Sequence, residues 1–511
     1  MNPEALSALD SVFVTMDAAN APLHIGALIE LEAPDGAIAD HQERFERIKA
    51  RVEERLSTIA VLRRRVVRVP FDLGQPILVD DPDFDLSFHI VRRAVPAPGS
   101  QVEMDALCAR IMATPLAPDR PMWELSVIEG LEGDRTGLLI RLHHALADGV
   151  SGVAVFAGLF DLEPEPAATV AIEESGEDDE VPPIPSPVDM LARSSSELLR
   201  RPGAILEAIG SSLERLAGRV DELMGVAEAG EGYDAGLFDA PPTSMSGTIS
   251  HARLFVRLRL DLADVKAAAR RNGGTVTDFA VSVVGGALRR LLSERGEHPS
   301  KDLIAFVPVN IRRPGTEEHL GNRIAARLVP LDSLIENPFD RFEAVIERSA
   351  KAKAREQPMT DVINDLAEAA GPALASFAGK VVSAFELFDL LPPGANVIVS
   401  SLPGPTFPLY CAGEQIVSVA PIGPLMFNQG LNVTVLSYCE HIEFGMLACA
   451  RRVSDVDRFR ELLADEVATL LGTDEPAVVE EPDEGSLEVP RAARPTSLGE
   501  PHRCDPPRLS G

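Results

Sequence analysis

The chain has 511 residues, 45% of them hydrophobic and 25% charged, with a formal net charge of −31 and five cysteines. That length exceeds one ordinary core and predicts two substantial domains with connecting material. The acidic balance excludes nucleic acid as a partner, the few dispersed cysteines exclude a disulfide scaffold, and no run of residues is apolar for long enough to span a bilayer.

The N-terminus, MNPEALSALDSVF, lacks the basic start and apolar core of a secretory signal, so the protein is expected inside the cell. Farther along, GLLIRLH (137–143) reads as a strand and VSGVAVFAGLF (150–160) as a helix packed through small residues. Between them stands His143, His144, Ala145, Leu146, Ala147, Asp148, Gly149, at the strand exit. After Phe160, residues 161–186 hold nine acidic residues, no Lys or Arg, and several prolines, which predicts a flexible linker. Residues 188–226 carry apolar side chains at helical spacing, interrupted by Pro202 and Gly203, and read as two amphipathic helices between domains. They either pack on the core or rest on a membrane or over a lipid tunnel.

A second α/β half starts near residue 250, with strands expected at 304–309, 325–331, 397–401, 432–438 and 442–448 and a last helix at 456–471. Residues 473–511, rich in proline and charge, read as a disordered tail. The organisation expected is therefore 1–160, a linker 161–249, 250–472, and the tail.

A neutral imidazole can take a proton from an attacking alcohol and return it to a leaving group if its ring is held in place. His143 and His144 fit that role, with Asp148 and Gly149 turning and holding the loop; they also fit ordinary polar residues at a strand end, with Asp148 as a helix cap. Against a metal site of both histidines and Asp148, no HExxH or clustered Cys/His pattern accompanies them. There is no GxSxG elbow and no cysteine motif, so a hydroxyl substrate must supply the nucleophile.

Other segments extend the pattern: LDSVFVTMDAANAPLHIGAL (9–28), VDDPDFDLSFHI (79–90), PLAPDRPMWE (115–124), VPVNIRRP (307–314), NVIVSSLPGP (396–405) and GPLMFNQGLNVTVLSY (423–438). Together with HHxxxDG, over about residues 6–472, they resemble the bacterial wax ester synthase and acyl-CoA:diacylglycerol acyltransferase family. HHxxxDG alone is shared with peptide-synthetase condensation domains and other CoA-dependent acyltransferases.

The resemblance implies two domains of chloramphenicol-acetyltransferase-like α/β fold joined by a long, partly helical linker, with His144 reached through a channel between them. It implies acyl transfer from acyl-CoA, a substrate and not a cofactor, to a diacylglycerol or a fatty alcohol, with no cofactor and no metal. His144 would be the general base, His143 and Asp148 would shape the loop with Gly149, and Thr277, Asp278, Asn396 and Ser400 would stabilise the thioester oxygen or position the acyl group. Because such substrates partition into lipid, peripheral contact with a membrane or lipid droplet is expected through apolar surface.

Three departures stand out: Ala117 where the family reads aspartate, Thr277 before Asp278 where it reads asparagine, and Ser401 where asparagine is common. Thr277 either positions substrate or caps the helix DFAVSVVGGALRRLL. Arg63, Arg64, Arg65 and Arg68, and Arg312 with Arg313, either meet coenzyme A phosphates or pair with acids such as those of DDPDFD (80–85). A condensation enzyme using a carrier-bound donor and a noncatalytic lipid-binding protein remain as alternatives. No LGGxS-like carrier site supports the first.

Overall fold

Ser7 starts the first helix: its hydroxyl accepts from Asp10 N at 3.0 Å, a cap of the kind worth about 1 kcal/mol. In the computed structural model, the described residues are 3–32, 40–70, 74–147, 149–165, 184–190, 240–310, 324–354, 393–426 and 428–473. The first half runs β1 (Glu4–Ala5), α1 (Ala8–Met16), β2 (His24–Glu32), α2 (His41–Leu56), β3 (Arg64–Val67), β4 (Ile77–Asp80), β5 (Ile90–Ala94), α3 (Gln101–Met112), β6 (Trp123–Glu129), β7 (Thr136–His143) and α4 (Gly149–Gly158). The second half runs β8 (Arg253–Asp261), α5 (Leu262–Arg271), α6 (Val276–Glu294), β9 (Ile304–Asn310), β10 (Ile324–Pro330), α7 (Pro338–Ala354), β11 (Val397–Pro403), β12 (Tyr410–Cys411), β13 (Glu414–Ile422), β14 (Leu431–Tyr438), β15 (His441–Cys449) and α8 (Val456–Leu471). Every strand expected in the second half is present within two residues.

The strands form two six-stranded mixed sheets, ordered β12-β13-β2-β7-β6-β5 and β10-β9-β11-β14-β15-β8, with a small sheet β1-β4-β3 beside them. One feature departs from the expected division at residue 250. β12 and β13, late in the chain, complete the sheet of the first half, where Ala420 pairs with Leu28 and Pro421 with Ala27. The two halves therefore share a sheet and close into one unit. Gly445 of β15 permits this: a Cβ there would lie 1.8 Å from Pro421 O, so any other residue would push β13 off the second sheet.

An ionic cluster also ties the halves. Arg257 on β8 bonds Glu30 on β2 and, at 3.0 Å, Asp105 on α3; Glu30 also receives Arg135 at 2.8 Å. All three of Arg257, Glu30 and Asp105 are buried, so each charge depends on the others for what water no longer supplies.

Asp161 corrects the expectation of a linker beginning there. It is fully buried, accepts from Arg51 Nε at 2.8 Å and from Arg55, and exchanges backbone hydrogen bonds with Tyr410 at 2.8 Å each way. Two guanidiniums and a strand edge hold the chain at the exit of α4. Most of the rest of the acidic stretch, most of the expected helices at 188–226, and the tail after Thr473 lie outside the described residues, as do Arg312 and Arg313. In the other basic run, Arg64 pairs with Glu4 at 2.8 Å and Asp80 at 3.6 Å, and Arg65 with Asp81 at 3.7 Å, the acid-paired reading of that segment.

Candidate active site

β7 is buried along its whole length and delivers the histidines to the seam between the sheets. Consecutive residues at a strand end face opposite ways, and here that separates their roles. His143 turns back into the protein at 2% exposure: its N–H donates to Met122 O at 2.9 Å and its Nδ1 accepts from Ala145 N at 3.1 Å. An Nδ1 that accepts carries no proton, so the neutral ring is protonated at Nε2, 3.9 Å from Asp17 Oδ1. Burial, reinforced by His144, pushes the His143 pKa down to about 3. His143 is a neutral strut.

His144 turns the other way and lines a cavity of about 460 Å³, within the range of about 300–1,000 Å³ typical of sites that engulf small molecules. Its backbone N–H donates to Leu23 O at 2.9 Å, and its ring stacks on Phe13 of α1, centroids 4.3 Å apart and planes 19° from parallel. Phe13 and Asp17 were not singled out from the sequence, because they approach the histidines from a segment over a hundred residues upstream. Asp17 follows α1, accepts from Leu23 N at 2.8 Å, and is raised above the ordinary carboxyl pKa by burial, against that hydrogen bond and the charge of Arg68. One short segment, 13–23, thus holds both histidines: Phe13 and Leu23 contact His144, and Asp17 faces His143.

The cavity wall comes from both halves. α1 and α4 contribute Val12, Phe13, Val153 and Phe156; β2 presents Ile25, Ala27 and Ile29 at the two-residue spacing of one strand face. β11, β13 and β14 close the other side, and the wall is mostly aliphatic. Its polar side chains besides His144 are Ser400, Ser401, Asn432, Thr434 and Tyr438. Tyr438 is spent, donating to Ile416 O at 3.2 Å and accepting from Leu409 N at 2.8 Å.

Of the four residues expected to serve the thioester oxygen or acyl group, the structure brings only Ser400 to the cavity. Asn396 is buried away from the cavity wall, accepting from Ile304 N at 2.9 Å and donating to Pro241 O at 2.7 Å, which joins β9 to the segment before β8. Asp278 is tied up in the cap of α6: Thr275 and Asp278 exchange bonds of 2.7, 2.9 and 3.2 Å. Thr275, not Thr277, is the N-cap, because the cap pairs with an acid three residues on; Thr277 sits inside the first turn, away from the cavity wall. Asp148 lies outside the described residues, and Gly149 opens α4.

Two mixed sheets, the first completed by β12 and β13 from the second half of the chain, enclosing an apolar cavity with an imidazole from a strand exit in its wall, define a chloramphenicol-acetyltransferase-like acyltransferase. The family model of the wax ester synthase/diacylglycerol acyltransferase catalytic domain matches residues 6–280, and that of its C-terminal domain matches 320–470. The chain belongs to the wax ester synthase/diacylglycerol acyltransferase family and is an acyltransferase. It is 32% identical over 478 residues to a probable diacylglycerol O-acyltransferase of Mycobacterium tuberculosis, covering 91% of this chain and 95% of that one. Its fold is similar to the wax ester synthase/diacylglycerol acyltransferase from Marinobacter aquaeolei VT8, with a TM-score of 0.64 at 24% identity over 91% of this chain and 98% of that one. It is also similar to a trichothecene 15-O-acetyltransferase from Fusarium sporotrichioides, with a TM-score of 0.53 at 14% identity over 91% and 94% of the two chains.

Proposed function

We propose that the protein transfers a long-chain acyl group from acyl-CoA to the hydroxyl of a diacylglycerol or a fatty alcohol, with His144 as general base and no cofactor. The observation that carries this reading is the orientation of the two histidines, of which His144 alone lines the apolar cavity. The hydroxyl proton passes to His144 as the oxygen bonds to the thioester carbon. The carbon–sulfur bond then breaks, and the imidazolium returns the proton to the leaving thiolate. Ester and free coenzyme A are the products, and no acyl-enzyme forms. A largely aliphatic wall keeps water from competing with the alcohol. Ser400 is the donor we assign to the thioester oxygen, since its hydroxyl faces the cavity without a protein partner among the described residues.

No helix among the described residues is long and apolar enough to cross a membrane. The substrates partition into lipid, so we place the enzyme at a lipid surface, peripherally and inside the cell. The four described cysteines, all free, fit a reducing compartment. The test is purified enzyme with palmitoyl-CoA and either hexadecanol or a diacylglycerol, following thiol release and the ester formed. His144→Ala should lower the rate by about 10²–10⁴. An unchanged rate removes the general base, and turnover only with a carrier-bound acyl group assigns a different donor.

A further inference from the structure

β11 and β14 pair in parallel, Ile398 opposite Asn432, Ser400 opposite Thr434 and Leu402 opposite Leu436, and all six line the cavity. The shared face is therefore graded along its length. Asn432, Thr434 and Ser400 form a polar band at one end, and Leu436 lies about 13 Å from Asn432 at the strand rise per residue.

Asn432 and Thr434 are 2% and 4% exposed. Thr434 Oγ1 donates to Asn432 Oδ1 at 2.8 Å, and Asn432 Nδ2 donates to Pro424 O at 2.7 Å. A carbonyl can only accept, so Pro424 fixes which end of the amide is nitrogen. That bond uses one of two N–H groups, and the second has no protein partner among the described residues. Gly423 makes the arrangement possible: a Cβ there would come within 2.6 Å of both Asn432 Nδ2 and Thr434 Oγ1.

A spare N–H held in an otherwise greasy cavity is costly unless a ligand oxygen takes it. We propose that Asn432, oriented by Thr434, is a specificity-determining residue that donates to an ester carbonyl of a glyceride acceptor, whose chain lies along the Leu402 and Leu436 end. A diacylglycerol carries such carbonyls besides its hydroxyl; a fatty alcohol carries none, and leaves the donor unpaired. This rests on the acyl-transfer reading of the same cavity.

The test compares three acceptors with palmitoyl-CoA: a 1,2-diacylglycerol, the 1,2-dialkylglycerol ether with the same chains, and hexadecanol. The wild-type protein should use the diester over the diether by about tenfold in kcat/KM, the range expected for one buried hydrogen bond. Asn432→Leu and Thr434→Val should bring that ratio toward one. A folding defect shows as a lowered thermal midpoint, and the ratio is read on variants whose midpoint matches wild type. A wild-type ratio near one, or Asn432→Leu losing activity equally with every acceptor, overturns the assignment; the latter would place Asn432 on the acyl donor. His144→Ala assayed alongside tells the two readings apart, since full activity there removes the base while the acceptor ratio still reports on Asn432.

Discussion

Replacing His143 by asparagine isolates the titration of a buried imidazole. The asparagine oxygen can take the Ala145 N–H as Nδ1 does, and it does not titrate. In the folded protein burial holds His143 neutral down to about pH 3; in the unfolded chain an imidazole takes its proton near about 6.5. With the folded value below the unfolded one, the contribution is complete above about pH 6.5 and is lost progressively as pH falls toward about 3. At about pH 5, some 1.5 units below the unfolded value, the loss is about 2 kcal/mol at about 1.4 kcal/mol per unit. Between about pH 8 and about pH 5 the wild-type protein should therefore lose about 2 kcal/mol more than His143→Asn. Urea unfolding can be followed by emission of Trp123, the single tryptophan, which pairs with Leu142 beside His143. His89, stacked on Trp123 at 4.6 Å, is common to both proteins and cancels in the difference. Parallel losses in the two proteins would mean that His143 protonates while folded, and would refute the neutral strut.

Phe13→Leu keeps the cavity apolar but removes the ring stacked on His144, an interaction of the kind worth about 0.5–1.5 kcal/mol. The expected result is a fall in kcat of about 2- to 10-fold, restored by Phe13→Tyr; equal losses in both variants would assign Phe13 to packing alone. Arg257→Met leaves Glu30 and Asp105 buried without their shared cation and should cost about 3–5 kcal/mol at neutral pH, read as a fall in thermal midpoint against wild type. Burial already lifts Asp105 to about 6 against the pull of Arg257, and losing that cation lifts it further, so the deficit should narrow as pH falls toward about 6, where the variant's carboxyl is protonated before that of the wild type. A deficit that does not change with pH would show that Asp105 is not the stranded charge.

What the sequence made legible, and what it hid, divides by distance along the chain. Strands β9, β11, β14 and β15 and helix α8 could be read because apolar periodicity is local. β13 could not: its partner β2 lies nearly four hundred residues earlier, and no local signal tells EQIVSVAPI which sheet it completes. The Thr275 cap was readable, since a threonine three residues before an aspartate is a capping-box spacing, whereas the motif resemblance pointed to Thr277. Asn396 carries no local sign that its amide bridges Ile304 and Pro241. The histidine pair was visible as a pattern, and the resemblance singled out His144. The physical basis for that choice, one ring facing inward and one facing the cavity, is a property of the strand end and of Phe13 and Leu23.

The placing of β13 in the sheet of the first half also explains why a chain whose imidazole comes from its first half needs its second. Pro421 and Ile422 of β13 stand in the cavity wall with Ile25 and Ala27 of β2, while Ser400, Asn432 and Thr434 face them from the other sheet. The histidine motif on β7 therefore has half a cavity until residues near 420 arrive and Gly445 lets them settle against β15. With His144 supplied by one half and Ser400, Asn432, Thr434 and much of the wall by the other, the lining on β11 and β14 can change without disturbing the stacking that holds His144.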